Sequence, residues 1–365
     1  MKTGKQILTK RIQLLVNTTD PALKKDVWDT LFRWQRLCFR SANYIMTHHF
    51  VQDHIAELFY LNEGLKLKLS DIHKDPDGVL TTSRINTTYQ LLSRYFKGYL
   101  PSDIYTNLNT SLVQLYNQER TDYRKGEKML PNFKKDQPIP IKGRSIKELK
   151  PMGNGRDYSF TLFKLPFRTY LGNQYHDRAF IMNAIATGQL NLCNSRIELK
   201  KGKIYLLAAL PFDKKEPVKD SRLIAEVSLS VEQPLTVTIG NRSYPIGNKE
   251  EFLYRRLAIQ AAIHRRQQGA TANRGGHGYQ RKLKSVIQLK GKEQNYVEQK
   301  LHEYSRRLVD LCVQHGAGAI LLMEQTDKEA IATGDQFLLR NWSYGNLRQK
   351  IAYKAEREGI AFVVE

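Results

Sequence analysis

Residues 223–240, LIAEVSLSVEQPLTVTIG, constrain the fold of this chain more than any other stretch. They read as two short strands joined by a turn. Alternate side chains of a strand share a face. Leu223, Ala225, Val227, Leu229 and Val231 then turn one apolar face to a core, and Ile224, Glu226, Ser228 and Ser230 occupy the other. A short strand follows at RSYPIG, then a helix over about 249–268 and a glycine-rich basic loop, ATANRGGHGYQRKLK. A long helix over about 292–315 places Val297, Leu301, Tyr304, Leu308 and Leu311 on one face and stops at Gly316. A strand at 319–325, a helix over about 343–358 and a final strand, IAFVVE, complete the pattern. Strands, helices, strand, helix, strand make an α/β layout around a central sheet.

The preceding two-thirds of the chain have a different texture. Residues 5–16, KQILTKRIQLLV, read as a strand. Asp20 then caps a long helix with Pro21 at its first position. Leu23, Val27, Leu31, Trp34, Cys38 and Ile45 recur at helical spacing and should face a core. Further helices fit 80–98 and 101–125, separated by GYLPSD. Pro131, Pro138 and Pro140 end the helical pattern, and 139–212 alternate like strands. DKKEPVKDSR, 213–222, is a charged linker.

Lys plus Arg number 58 against 36 Asp plus Glu, a net charge of +22 spread along the chain. That balance favours an extended surface for a polyanion, with nucleic acid ahead of a membrane. No stretch has the ~20 apolar residues of a membrane span, and the N-terminus lacks a signal core. Cys38, Cys193 and Cys312 are the only cysteines and none forms a CxxC pair. A zinc finger and a disulfide framework are therefore not expected, and the cytoplasm is the expected compartment. Arg33, Arg36 and Arg40 form a basic stripe at i, i+3 and i+7, paired within the helix only by Asp29 with Arg33. Phosphate contact and a plain solvated face both account for such a stripe.

The order of elements from residue 223 is that of an RNase H-like fold. Nucleases on that fold use acidic residues of the first strand, the fourth strand and a later helix to hold two divalent ions ~3.5–4 Å apart. Here serine stands at the first-strand position, Ser228, and Glu226 is displaced by ~6–7 Å along the strand. Glu324 ends the fourth strand in LLMEQT; an ordinary strand-end glutamate is its simpler reading.

LLMEQ followed by FLLRNWSYGNLRQKIAYKAEREGI resembles the second RuvC motif and following helix of TnpB proteins and their CRISPR descendants, most of all the compact type V-F effectors. The GGHGYQRKLK loop, the LPNFKKDQPIPI segment and the helical region after residue 20 add to the likeness. The family's first motif reads like G-[IV]-D-x-G; the matching residues here are Glu226, Val227, Ser228, Leu229 and Ser230, without the aspartate or either glycine. The second-motif glutamate matches Glu324. Active members continue into a zinc ribbon and a third acidic motif, whereas this sequence reaches Glu365 first.

The resemblance implies an α+β multidomain chain. A strand at 1–17 belongs to a β-rich, barrel-like wedge domain at 128–218, a helical recognition domain spans 18–127, and a degenerate, truncated RuvC-like domain spans 219–365. It implies guide RNA as required ligand, double-stranded DNA as target, and a homodimer. No cleavage, no zinc and no catalytic magnesium are expected, since one of three carboxylates remains. The implied output is transcriptional, by recruiting an extracytoplasmic-function sigma factor and RNA polymerase or by occlusion. A residual nuclease built on Glu226, Glu324 and Glu365 is the enzymatic alternative, and unguided RNA binding a third.

The candidate nucleic-acid contacts are clusters. Arg33, Arg36 and Arg40 match the family's region near the flanking-motif duplex. Lys134, Lys135, Lys142 and Arg144 are placed to grip guide RNA. Arg265, Arg266, Arg274, His277, Arg281, Lys282 and Lys284 surround the glycine-rich loop, which reads equally as a basic surface turn. Arg340, Trp342 and Arg348 lie where the family has a lid, and Trp342 reads equally as core.

Overall fold

A computed structural model describes residues 5–58, 84–173, 175–213, 223–229, 233–271, 276–323 and 344–365. The chain divides into two compact units. One is built on Ile7–Phe212; the other on Asp213–Glu365 with the first residues of the chain. The architecture is α+β.

In the first unit, strand β1 (Lys5–Val16) leads into helix α1 (Pro21–Leu58). Asp20 caps α1 as its sequence predicts: Oδ1 accepts the Ala22 N–H at 2.8 Å. Helices α2 (Arg84–Phe96) and α3 (Ser102–Lys125) pack beside it. Strands β2 (Ile139–Ile141), β3 (Ile146–Pro151), β4 (Tyr158–Leu162), β5 (Leu165–Tyr170), β6 (Ser195–Lys200) and β7 (Lys203–Asp213) join β1 in a seven-stranded sheet ordered β2-β6-β7-β1-β5-β4-β3. β1 is therefore the middle strand. Its Ile12, Leu14 and Val16 meet Leu31, Cys38 and Ile45 of α1, Leu112 and Tyr116 of α3, and Phe167 and Leu206 of the sheet in one continuous core.

Two sequence expectations fail here. Residues His176–Ala186 form a helix, α4, inside the stretch read as strands. Its HDRAFIMNAIA composition has no period-2 alternation, and Ile181, Met182 and Ala184 are buried. Leu23 is 40% exposed rather than core, because it lies in the first turn, ahead of the point where α1 meets the sheet.

Asp53 is buried at the junction of α1 and α3. Arg120 grips it with Nε and Nη2, each at 2.8 Å, and the Tyr116 hydroxyl donates at 2.7 Å. A buried carboxylate is tolerable only with such partners.

In the second unit, strands β8 (Ile224–Ser228), β9 (Leu235–Ile239), β10 (Arg242–Ile246), β11 (Ala319–Leu322) and β12 (Ala361–Val364) form a sheet ordered β10-β9-β8-β11-β12. β8–β9–β10 is an antiparallel run; β11 lies parallel to β8 and β12 parallel to β11. Helices α5 (Lys249–Thr271), α6 (Gly276–Gln314) and α7 (Tyr344–Arg357) complete the described elements. Leu301, Tyr304, Leu308 and Cys312 of α6 and Leu347, Ile351 and Ala355 of α7 pack with Ala225, Val227, Ile320 and Leu322 of the strands. Gly247, at φ +78°, turns the chain from β10 to α5; a Cβ there would lie 2.7 Å from the Tyr304 ring.

Leu223, placed on the apolar face by alternation, is 45% exposed because it precedes the first residue of β8. Helix α6 begins well before the expected residue 292, and α5 and α6 form an antiparallel hairpin tied by Arg256–Glu293 at 3.1 Å. Two glycines at its start cost ~1 kcal/mol each, but Arg, Lys, Leu and Gln favour helix and packing against α5 decides.

Replacing Asp53 by Asn should lower the stability of the first unit by about 2–4 kcal/mol, because the amide carries no charge for Arg120 and leaves one acceptor oxygen where Arg120 and Tyr116 use two. Urea unfolding measures this, and a change within about 0.5 kcal/mol would show that the pair contributes nothing.

Candidate nucleic-acid interface

Glu226 and Ser228 lie on the face of β8 turned away from the core that α6 and α7 share with the sheet. On β8 the residues alternate as expected: Ala225 and Val227 are buried, Glu226 is exposed and Ser228 half-buried. Glu226 pairs with Thr238 on β9 and with Leu321 on β11, and Leu321 pairs with Val363 on β12. Ser228 pairs with Thr236. The ladder continues past the strand ends, since Met323 N–H donates to Val227 O and Glu365 N–H to Leu322 O, both at 3.0 Å.

This register fixes how far apart the described carboxylates are. Glu365 lies two strands from β8, about 10 Å away, and Glu226 about 7 Å along the strand from Ser228. Two divalent ions ~3.5–4 Å apart need carboxylates converging on one point. The described residues of this face supply the Ser228 hydroxyl, Thr236 and Thr238 of β9, and carboxylates at those separations. Among the described residues, no three His, Cys, Asp or Glu side chains group as metal ligands. Glu324, Arg340 and Trp342 lie outside the described residues.

The first unit brings together two basic clusters that are far apart in sequence. Arg33, Arg36 and Arg40 are exposed along α1. One turn beyond Arg40, Asn43 clamps the backbone of Phe133: its Nδ2 donates to Phe133 O at 3.0 Å and its Oδ1 accepts Phe133 N–H at 3.1 Å. Lys134 and Lys135 follow directly and are exposed. Asn43 lies only ~4.5 Å along the helix axis from Arg40, so five cations share one surface. The signal available in the sequence was a single amide, which no spacing rule singles out. Among the described residues no Asp29–Arg33 ion pair forms; Arg33 Nη2 instead reaches Thr30 Oγ1 at 3.5 Å.

Lys142 and Arg144 are placed differently from Lys134 and Lys135. Arg144 bonds Asp103 of α3 at 2.5 Å and Lys142 lies 3.9 Å from the same carboxylate. The Arg144 hydrogen bond holds the Asp103 carboxyl below its usual range, with burial opposing. A depressed carboxylate contributes stability above its unfolded value and loses it as pH falls through the folded one, so the pair is intact at neutral pH.

The expected loop of the second unit is mostly helix. Arg265 and Arg266 are exposed near the end of α5, and His277, Arg281, Lys282 and Lys284 lie in the first turns of α6. Arg274 falls in 272–275, outside the described residues. The cations thus crown the tip of a helical hairpin. Residues 252–292 contain ten Lys and Arg and no Asp or Glu, a signal that also marks Arg255, Lys290 and Lys292, which spacing alone had missed. Arg348 is exposed on α7.

No family model matches the sequence. The CRISPR-associated endodeoxyribonuclease Cas12f1 of Sulfoacidibacillus thermotolerans is 28% identical over 335 residues, covering 84% of this chain and 78% of that protein. The CRISPR-associated endodeoxyribonuclease Cas12f1 of Syntrophomonas palmitatica is 31% identical over 176 residues, 46% of this chain and 35% of that protein. A cryo-EM structure of a Cas12f1–sgRNA–target DNA complex superposes with a TM-score of 0.70 over 98% of this chain and 88% of that chain, at 14% identity. No described helix is long and apolar enough to cross a membrane.

If Asp103 restrains Lys142 and Arg144, Asp103→Asn should tighten binding to a polyanion. The log–log salt slope should steepen by roughly 1–2, about one unit per cation released. Titrating heparin or duplex RNA against the variant measures this; an unchanged slope would mean the two cations stay engaged elsewhere.

Proposed function

We propose that this chain, a relative of the compact type V-F CRISPR effectors, binds guide RNA and, through it, double-stranded DNA, and leaves the DNA uncut. The relatives' kinship and a basic surface joining Arg33, Arg36, Arg40, Lys134 and Lys135 support binding. In guided recognition, pairing reads the sequence while the protein holds backbones and a short flanking motif. Exposed arginines and lysines on rigid helices suit that division.

The observation that carries the absence of cleavage is Ser228 on the open face of β8. A neutral hydroxyl contributes no charge where two divalent ions need to be neutralised, and no neighbouring carboxylate on β8 reaches its place. No catalytic metal and no zinc form part of this reading.

Binding without cleavage leaves transcription as the output. A bound complex on a promoter occludes polymerase; held beside one, it recruits polymerase through an extracytoplasmic-function sigma factor. A homodimer on one guide RNA would cover a ~20-bp heteroduplex more fully than one copy.

The decisive measurement uses the purified protein with its co-purified RNA and a supercoiled plasmid carrying the matched target. Retention in a gel shift with the plasmid intact in Mg²⁺ and in Mn²⁺ is the expected result. Metal-dependent nicking that Glu324→Gln abolishes would overturn it.

A further inference from the structure

The α5–α6 hairpin carries a groove along one side, separate from its basic tip. Its volume is about 560 Å³, within the ~300–1,000 Å³ typical of ligand sites. Arg255, Ile259 and Ala262 line it from α5, at i, i+4 and i+7. Leu289, Lys292 and Tyr296 line it from α6, again at i, i+3 and i+7. The concavity exists because α5 presents Ala258 and Ala262 where larger residues would fill it. Ile259 and Leu289 give it an apolar lining.

Polar contacts tie the two walls of the groove together. Buried Arg256 bonds Glu293 Oε1 through Nε at 3.2 Å, and Gln260 Nε2 donates to the same atom at 3.2 Å. These contacts join the two helices and engage the Glu293 carboxylate. The Tyr296 hydroxyl donates to Glu251 O at 2.9 Å, which fixes the ring. The Arg255 guanidinium sits 5.3 Å from the centre of that ring. No ion pair engages Arg255 or Lys292 among the described residues.

We propose that this groove seats unpaired nucleotides of single-stranded RNA. Charge complementarity selects the occupant: Arg255 and Lys292 make the rim cationic, while the flanking Glu293 and Glu251 are engaged by Arg256 and Lys300. An apolar lining beside a hydrogen-bonded tyrosine accepts a base by stacking, and the Arg255 plane adds a second stacking surface. Asn295 and Gln299 line the same groove and supply amides that exchange hydrogen bonds with a base edge or a 2′-hydroxyl. Arg266, four residues beyond Ala262 on the same face of α5, extends the cationic line towards the tip, so the run from Arg255 spans ~16 Å. A duplex offers stacked bases that cannot enter. The assignment rests on the guide-RNA reading and names where an unpaired segment is held.

The test fills the groove without changing a charge. Ala262→Leu keeps a strong helix former and should leave the melting temperature of the protein unchanged. Its affinity for a short fluorescent oligouridylate should fall about tenfold, with duplex RNA unaffected. Tyr296→Ala should give a similar loss, and Lys292→Ala should lower the salt slope by roughly 0.7. Unchanged oligouridylate affinity in Ala262→Leu, or an equal loss on duplex RNA, overturns the groove as a seat. Equal affinity and equal loss with an oligothymidylate overturns RNA as the occupant. If the groove fails while guide-sized RNA still co-purifies, the broader reading stands; if neither wild type nor variant carries RNA, both fall.

Discussion

The second unit depends on β8 lying between β9 and β11 with Ala225 and Val227 turned to α6 and α7. Strand pleating then leaves no freedom: Glu226 and Ser228 face away from the helices, and the parallel register with β11 and β12 sets which residues stand beside them. A one-residue slip would bury Glu226 and expose the core. The chemistry open to that face is therefore decided by hydrophobic burial on the other side. Polar side chains there are free to vary without cost to the fold, and Ser228 is one of them.

Elements with a strong local signal were legible in the sequence. Lys5–Val16 alternates cleanly, Asp20-Pro21 caps α1, and the Leu301–Tyr304–Leu308 stripe packs where its spacing places it. The misreadings have specific causes. Helix α4 is short and uncapped by any side chain, so its local pattern is weak. The start of α6 was hidden by glycines whose intrinsic penalty is outweighed by packing against α5, a contact with no local trace. Leu23 and Leu223 fit the periodicity of their elements but sit at an end, where the partner surface has run out.

The interface was legible as composition and not as geometry. A surplus of cations is visible by counting, yet counting cannot separate Lys134 and Lys135, carried to α1 by the Asn43 clamp, from Lys142 and Arg144, held by Asp103. The carboxylates do the sorting. Asp103 and Glu293 take cations out of play, and where carboxylates are absent the surface stays open to a polyanion.

Among the described residues, α6 joins the core of its sheet from Val297 onward, and the half before it packs along α5. At ~1.5 Å per residue that half is about 30 Å long. The cations of the hairpin are concentrated at the end away from that core. A tilt of about 10° at the root sweeps that end through roughly 5 Å, so repacking of one or two side chains beneath α6 would swing the whole cationic tip.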